Sequence, residues 1–284
     1  MEDVLDSTLD LVRRLPPKDL KKNLSHLLKI RPEISEDLLQ TVDQPLEVAV
    51  CPVTQKEYLL CDYNRDEDSY RSPHSNEFDP PLPGGSKPSD RLRNLEVIAN
   101  EVFEVYAKQY YGEALSSCYF WDLEDTVFAC CILIKKNAQS GSRGVESGGW
   151  DSIHIVEVDE SESRTDPTYK ITSSILLSLT TAAEGGEQTM SLCGSIADQR
   201  EKRMKKSAKK DEEHVVNIGK FVEDMENRLR NTIDQVYFGK TTEVLASVHD
   251  RSASMRSGHG GARQKNAFAA DLASVLRRRG GAKE

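Results

Sequence analysis

The chain has 284 residues, of which 37% are hydrophobic and 30% charged, and its formal net charge is −9. This composition is typical of a globular protein, and the length suffices for one large core or two smaller ones without disulfide or metal support. No apolar run approaches the roughly 18 residues that cross a bilayer, and the acidic amino terminus lacks the basic region of a signal peptide. We therefore expect a cytoplasmic protein.

Residues 1–42 are predicted to form three short helices packed as an antiparallel bundle. Apolar side chains recur at the 3.6-residue period of an amphipathic helix, and Pro16, Pro17 and Pro32 separate the three sets. The sets are Leu5, Leu9 and Val12, then Leu20, Leu24, Leu27 and Leu28, then Ile34, Leu38, Leu39 and Val42.

Residues 43–111 are predicted to form an irregular but anchored loop followed by a helix. The loop, up to about residue 90, is rich in proline and polar residues, and four aromatic side chains give it something to bury. They are Tyr58, Tyr63, Tyr70 and Phe78. From Pro88 to Tyr111 the apolar residues return to a helical period.

Residues 112–199 are predicted to form a five-stranded antiparallel sheet. Apolar and polar residues alternate as in half-buried strands, and the connections are too short on balance for helical crossovers. A meander is therefore the economical topology. The predicted strands are Ser117–Leu123, Thr126–Lys135, Trp150–Val158, Thr168–Leu179 and Thr189–Ala197.

Residues 200–211 contain the basic run REKRMKKSAKK, which precedes a predicted long helix at 212–248. The run could bind nucleic acid or direct nuclear import, but it lacks interleaved aromatics and belongs to an acidic chain, which favours a solvated connector. The helix has one apolar stripe and a length of roughly 50 Å. We expect it to lie across the preceding sheet.

Residues 249–284 are predicted to form a flexible tether and an amphipathic tail helix. Residues 251–284 hold eight Lys or Arg against two acids, so this segment carries +6 and the rest of the chain −15. Four apolar side chains share one helical face, and three arginines follow in the last turn. The face consists of Phe268, Leu272, Val275 and Leu276, and the arginines are Arg277, Arg278 and Arg279.

Three interpretations of the tail are open on composition alone. It could pack back on its own sheet, bind an anionic membrane as basic amphipathic helices do, or dock into a groove on an acidic protein. A helix of about 15 residues is marginal alone in water, so its stability must come from whatever receives the apolar face.

No motif for catalysis, a cofactor or a metal stands out. The sequence has no phosphate loop, dinucleotide fingerprint, nucleophile elbow or helical histidine pair, so we expect neither an enzyme nor a bound cofactor. His154, in a predicted strand, is interpreted as a structural histidine. The six cysteines show no zinc-ligand spacing and are expected to be buried thiols in a reducing compartment. They are Cys51, Cys61, Cys118, Cys130, Cys131 and Cys193.

Five exact strings resemble the β-subunit family of the heterodimeric F-actin capping protein, in order and over nearly the whole chain to about residue 248. They are RRLPP (13–17), DQPL (43–46), YLLCDYNRDEDSYRSPHSNEFDPPL (58–82), WDSIHIVEV (150–158) and NIGKFVEDMENRLRNTIDQVYFGKT (217–241). The resemblance implies an α+β fold with a three-helix stalk, a five-stranded sheet completed by a partner subunit, and a long helix across the sheet. The tether and the connector at 200–210 depart from better-known members.

The resemblance also implies an activity, which is to bind filament barbed ends and block subunit exchange without severing. The implied partners are the capping protein α subunit, in an obligate heterodimer, and actin, which would receive the tail face and arginines. Arg14 and Phe78 match family positions that bind regulators, and Phe78 stands where other members often carry Tyr. Regulators, phosphoinositides and dynactin are open as further partners, and no nucleic acid is expected. The alternative is an adaptor whose basic tail binds anionic membrane or nucleic acid.

Overall fold

The structure is a computed structural model of the chain that describes residues 2–138, 145–182 and 189–235. The chain divides into two compact units, 1–230 and 231–284, and every contact discussed below lies within the first. The helices are α1 (Glu2–Arg14), α2 (Leu20–Ile30), α3 (Ser35–Thr41), α4 (Asp90–Tyr111) and α5 (Glu213–Ile233). The strands are β1 (Glu47–Val50), β2 (Glu57–Leu60), β3 (Arg65–Asp66), β4 (Ser69–Arg71), β5 (Phe78–Asp79), β6 (Leu115–Glu124), β7 (Val127–Ala138), β8 (Val145–Asp159), β9 (Thr168–Ala182) and β10 (Thr189–Arg203).

The first three helices form a stalk with its own small core. Six buried apolar residues from all three helices and their connections pack together. They are Leu9, Val12, Leu20, Leu24, Ile34 and Leu38. Short 3-10 turns begin at Pro17 and Pro32, where a proline fits a first turn because its missing N–H has no helical partner. Leu39, which the pattern places on the apolar side, is instead 52% exposed.

The loop before α4 is more regular than predicted. β1 and β2 form an antiparallel hairpin, and β3, β4 and β5 form a separate three-stranded sheet. Strands of two to four residues are too short to show an alternating pattern, so the sequence could not reveal them. Of the four predicted aromatic anchors, Tyr58 and Phe78 are buried, whereas Tyr63 is exposed and stacks on Trp121 with ring centroids 4.9 Å apart.

The five long strands form an antiparallel meander in the order β10-β9-β8-β7-β6, which confirms the predicted fold class. In register, Ile132 of β7 pairs with His154 of β8, which pairs with Ser173 of β9. Side chains of α4 and α5 pack with one face of the sheet around Phe103, Phe128 and Val222. The other face packs with residues of the β1–β2 region.

Several element boundaries differ from the sequence-based prediction; β8, for example, begins at Val145 rather than Trp150. β10 continues to Arg203 rather than ending at Ala197, so the start of the basic run at 200–210 lies in a strand. The pairing of this end with β9 outweighs the weak strand preference of its charged residues. α5 is described as far as Ile233, which makes it about 31 Å long, and the predicted continuation to residue 248 lies outside the described residues.

Candidate functional site

The outer edge of β6 is occupied by side chains of α4. The amide of Asn100 accepts the backbone N–H of Cys118 and donates to the C=O of the same residue, both at 2.9 Å. Glu96 Oε2 accepts the N–H of Phe120 at 2.8 Å. Because these side chains satisfy backbone groups that would otherwise pair with a further strand, this edge is closed.

The outer edge of β10 is open by contrast. Within the described ranges, β10 pairs with β9 alone, over fifteen residues. Its first part, TMSLCGSIA at 189–197, carries no charge, whereas DQREKR at 198–203 is almost entirely charged. Charged residues discourage pairing at a sheet edge, so the first part is the better surface for another strand.

A cleft of about 320 Å³ lies beside this edge, between the stalk and the sheet. Stalk residues such as Leu9 and Arg13 form one wall, and Ile196 of β10 belongs to the other, so the cleft is continuous with the open edge. Asp43 also lines it. Burial raises the pKa of Asp43, and a hydrogen bond with Ser174 opposes that shift.

A buried charge cluster joins the end of the sheet to the start of α5. Glu160, Asp211 and His214 place their ligand atoms within 4.8 Å of one another, a set that could hold a metal ion. The ammonium of Lys206 lies 3.5 Å from Glu160 Oε1 and 3.1 Å from Asp211 Oδ1. The chain therefore supplies its own cation at this position, and the cluster is structural.

The protonation states of this cluster follow from its contacts. The guanidinium of Arg91 hydrogen-bonds Asp211 and holds the pKa of that carboxyl well below its usual range. Burial, reinforced by the charge of Lys206, lowers the pKa of His214 to about 4. Neutral His214 can then accept from the hydroxyl of Tyr169 at 2.7 Å and donate from Nε2 to Glu160 at 3.1 Å.

The burial of Lys206 corrects one prediction. The run at 200–210 was expected to be a solvated connector, but the side chain of Lys206 is only 1% exposed. Sequence reasoning missed this because a lysine within a run of basic residues has the pattern of a solvated segment. Lys205, Lys209 and Lys210 are exposed, as expected of such a segment.

A second buried cluster surrounds the predicted structural histidine. His154 is fully buried between Ser173, 2.8 Å from Nδ1, and Glu226, 2.9 Å from Nε2, which confirms that interpretation. Burial alone would raise the pKa of Glu226, but hydrogen bonds from His154 and other neighbours outweigh it and lower the pKa to about 2. Arg230 also pairs with Glu226 at 3.2 Å and lies over the ring of Tyr111. The cluster fastens α5 to the sheet and to α4.

The predicted regulator-binding residues lie in two different elements, Arg14 in α1 and Phe78 in β5. Arg14 lies at the end of α1 with its side chain 73% exposed, and it pairs with Asp10 at 2.5 Å. Phe78 is 6% exposed and packs so closely over Gly85 that a Cβ there would meet its ring at 2.6 Å. The described contacts therefore give Phe78 a packing role.

The predicted actin-binding residues Phe268, Leu272, Val275, Leu276, Arg277, Arg278 and Arg279 lie outside the described residues. In the described ranges, every buried side-chain nitrogen or oxygen has a hydrogen-bond partner. No helix in those ranges is long and apolar enough to cross a membrane. What the described residues offer for binding is the open edge of β10 and the cleft beside it.

Comparison with known proteins gives a consistent result. The family model described as "F-actin capping protein, beta subunit" matches residues 5–245. A curated F-actin-capping protein subunit beta from Emericella nidulans is 51% identical, and the match covers 86% of this chain and 88% of that one. The Drosophila melanogaster protein of the same name is 46% identical, with 97% and 96% covered.

A solved structure has a similar fold. It is the homodimeric actin capping protein alpha subunit from Plasmodium berghei, which aligns with a TM-score of 0.50 at 13% identity. The alignment covers 87% of this chain and 97% of that one. At this identity the likeness shows the fold, with its stalk helices and five-stranded sheet.

Proposed function

The chain belongs to the F-actin capping protein beta-subunit family. On this basis we propose how it pairs with its partner subunit and how it binds the filament. It is the β subunit of a heterodimeric capping protein that binds the barbed ends of actin filaments and blocks subunit exchange there. Its partners are the capping protein α subunit and actin. The alternative of a basic adaptor for membrane or nucleic acid gains no support.

The open edge of β10 is the proposed interface with the α subunit. The contrast between the two sheet edges carries this assignment, because Glu96 and Asn100 close β6 while the first part of β10 has neither a partner strand among the described residues nor a charge. A long unpaired strand is a template for pairing with another chain, and joining two half-sheets removes the exposed edge. The P. berghei α subunit has a similar fold and is itself homodimeric, which supports the pairing of two chains of this fold.

A photo-crosslinking experiment distinguishes the two edges. A photoreactive amino acid is placed at Ser195 of β10 or, as the matched control, at Ser116 of β6, and the chain is co-expressed with the α subunit. We expect a covalent adduct with the α subunit from position 195 and none from position 116. Adducts from position 116 alone would show that the subunits join elsewhere.

The tail is the proposed actin-binding element. Its apolar face would dock as an amphipathic helix into a groove, and Arg277, Arg278 and Arg279 would raise the association rate with acidic actin. The family model ends at residue 245, but the D. melanogaster alignment spans 275 of the 284 residues and so extends into the tail. This continuity supports an equivalent tail in a relative.

The remaining assignments follow from family membership. The chain is a component of the actin cytoskeleton, and we propose that it acts in the cytoplasm by binding alone, without enzymatic chemistry. We propose that the exposed Arg14 contributes to a regulator-binding surface on the stalk. Because Phe78 is buried, its proposed part is to shape the surface beside it.

A further inference from the structure

Two cysteines from distant parts of the chain share one apolar cluster beneath the loop that precedes α4. Cys61 directly follows β2, and Cys131 lies in the middle of β7. Both belong to the same apolar cluster on one face of the sheet, and burial, reinforced by the neighbouring Cys61 thiol, holds the pKa of the Cys131 thiol well above its usual range. The sequence gives no hint of this pairing, because seventy residues separate them and neither lies in a CxxC motif.

Several hydrogen bonds fix the position of Cys61 above the sheet. Tyr119 of β6 is the cross-strand partner of Cys131, and its hydroxyl donates to the carbonyl of Leu59 at 2.6 Å. The N–H of Leu59 in turn donates to Ser117 Oγ at 2.9 Å. These two bonds fasten Leu59, two residues before Cys61, to β6, the strand that pairs with the Cys131 strand β7.

The sulfur of Cys61 is itself oriented by the turn that follows it. Its backbone N–H donates to Asn64 Oδ1 at 2.9 Å, and its sulfur accepts the backbone N–H of Asn64. This reciprocal pair of bonds forms a capping box, which restricts the rotamer of the cysteine. The turn therefore limits the directions that the thiol can take.

The two thiols differ in access, and this difference corrects the expectation that all six cysteines are buried. Cys61 is half-buried, whereas Cys131 is fully buried. The neighbouring Cys130 points to the opposite face, where it belongs to the cluster under α4 and α5 together with Cys118. Among the cysteines of β6 and β7, Cys131 is thus the one that shares a cluster with Cys61.

We propose that Cys61 and Cys131 form a reversible intramolecular disulfide when the chain meets a peroxide. The peroxide oxidises the accessible Cys61 thiol to a sulfenic acid and is itself reduced to water. The Cys131 thiol then attacks the Cys61 sulfur, so that an S–S bond forms, the S–O bond breaks, and the departing hydroxide takes the thiol proton as a second water. In sum, two thiols and one hydrogen peroxide give one disulfide and two waters.

The disulfide would join the loop before α4 to β7. Tyr63, two residues after Cys61, stacks on Trp121 and lines the cleft between stalk and sheet, so the bond would fix one wall of that cleft. An intracellular disulfide of this kind is expected to be transient and redox-sensing. The proposal concerns the thiols alone and does not depend on filament capping.

Peptide mapping tests the proposal directly. The chain, purified with its α subunit, is treated with hydrogen peroxide, alkylated and digested with trypsin without reduction. We expect residues 57–65 linked to residues 109–135, with fragmentation that places the bond at Cys131, and loss of the linked peptide after dithiothreitol. Absence of the linked peptide, whether Cys61 stays a thiol or proceeds to a sulfinic acid, would overturn the proposal.

Two matched variants add specificity to the mapping. Cys131→Val removes the partner thiol with little change in volume, so the linked peptide should be lost and Cys61 should become over-oxidised or alkylated. Cys130→Val removes the adjacent thiol on the opposite face and should leave the linked peptide unchanged. If the linked peptide persists in Cys131→Val and disappears in Cys130→Val, Cys131 is not the partner of Cys61. The mapping of the unsubstituted chain is a test of the proposal even without these variants.

Discussion

Arg71 and Glu96 form a bidentate ion pair in the interior, with both N–O distances at 2.7 Å and side chains 4% and 0% exposed. Glu96 also accepts the N–H of Phe120 and pairs with Arg93. One carboxylate therefore joins the loop before α4, the helix itself and the edge strand β6. The ion pair thereby stabilises the closed edge at β6. The α subunit is proposed to bind the opposite edge, at β10.

Arg71→Met should destabilise the chain strongly. It removes the guanidinium and leaves the buried carboxylate of Glu96 with Arg93 as its remaining cationic partner, a change of the kind that costs about 3 kcal/mol. Denaturant unfolding of the purified heterodimer measures the loss. Lys108→Met on the same helix is the matched control, because the Lys108–Glu104 pair is exposed and should contribute little. Equal stability of the two variants would contradict a structural role for Arg71.

Lys206→Met tests whether the buried ammonium neutralises the acidic cluster. Without it, Glu160 and Asp211 retain Arg91 but lose the internal cation, and we expect a loss of about 2 kcal/mol in the free energy of unfolding. Lys209→Met, in the same loop but exposed, should leave stability unchanged. An unfolding curve for Lys206→Met that overlays the wild type would show that the cluster does not need its cation.

Because of His214, the free energy of unfolding should decrease as the pH is lowered from about 6.5 to about 4. Its pKa is lowered in the folded state to about 4, so it stays neutral there while the unfolded chain takes up a proton below about pH 6.5. Neutral His214 therefore contributes up to about 3 kcal/mol to the free energy of unfolding. This contribution is fully present above about pH 6.5 and is lost as the pH falls to about 4.

His214→Gln isolates this contribution from other groups. His74 also has a pKa lowered by burial and titrates in the same direction, so the comparison is between the slopes of the two proteins. Stability measured by denaturant unfolding should depend less on pH in the variant over this window. Parallel slopes would mean that His214 is protonated equally in the folded and unfolded states.

The sequence predicted the main architecture well because the sheet and the long helices have clear periods. The alternation through Tyr169, Ile171 and Ser173 corresponds to one buried face of β9. The short strands before α4 and the charged end of β10 could not be predicted, since their structure depends on pairing with distant segments. The apolar stripe of α4 likewise gave no sign that Glu96 and Asn100 bond to the backbone of β6.

The tail hypothesis predicts a face-specific loss of capping. Phe268→Asp combined with Leu272→Asp places two charges on the proposed docking face and should weaken barbed-end binding by at least about tenfold. Ala270→Asp combined with Ser274→Asp places the same charges on the opposite face of the helix and should change binding little. Filament elongation from seeds measures both, and thermal unfolding checks that the heterodimer is intact. Equal binding by the two double variants would contradict the proposed face.

The most direct test of the central claim is filament elongation from actin seeds in the presence of the purified heterodimer. We predict that growth at barbed ends stops at heterodimer concentrations far below that of actin, while growth at pointed ends continues. Normal barbed-end growth with a folded heterodimer in excess over filament ends would contradict the assignment of this chain as a capping subunit.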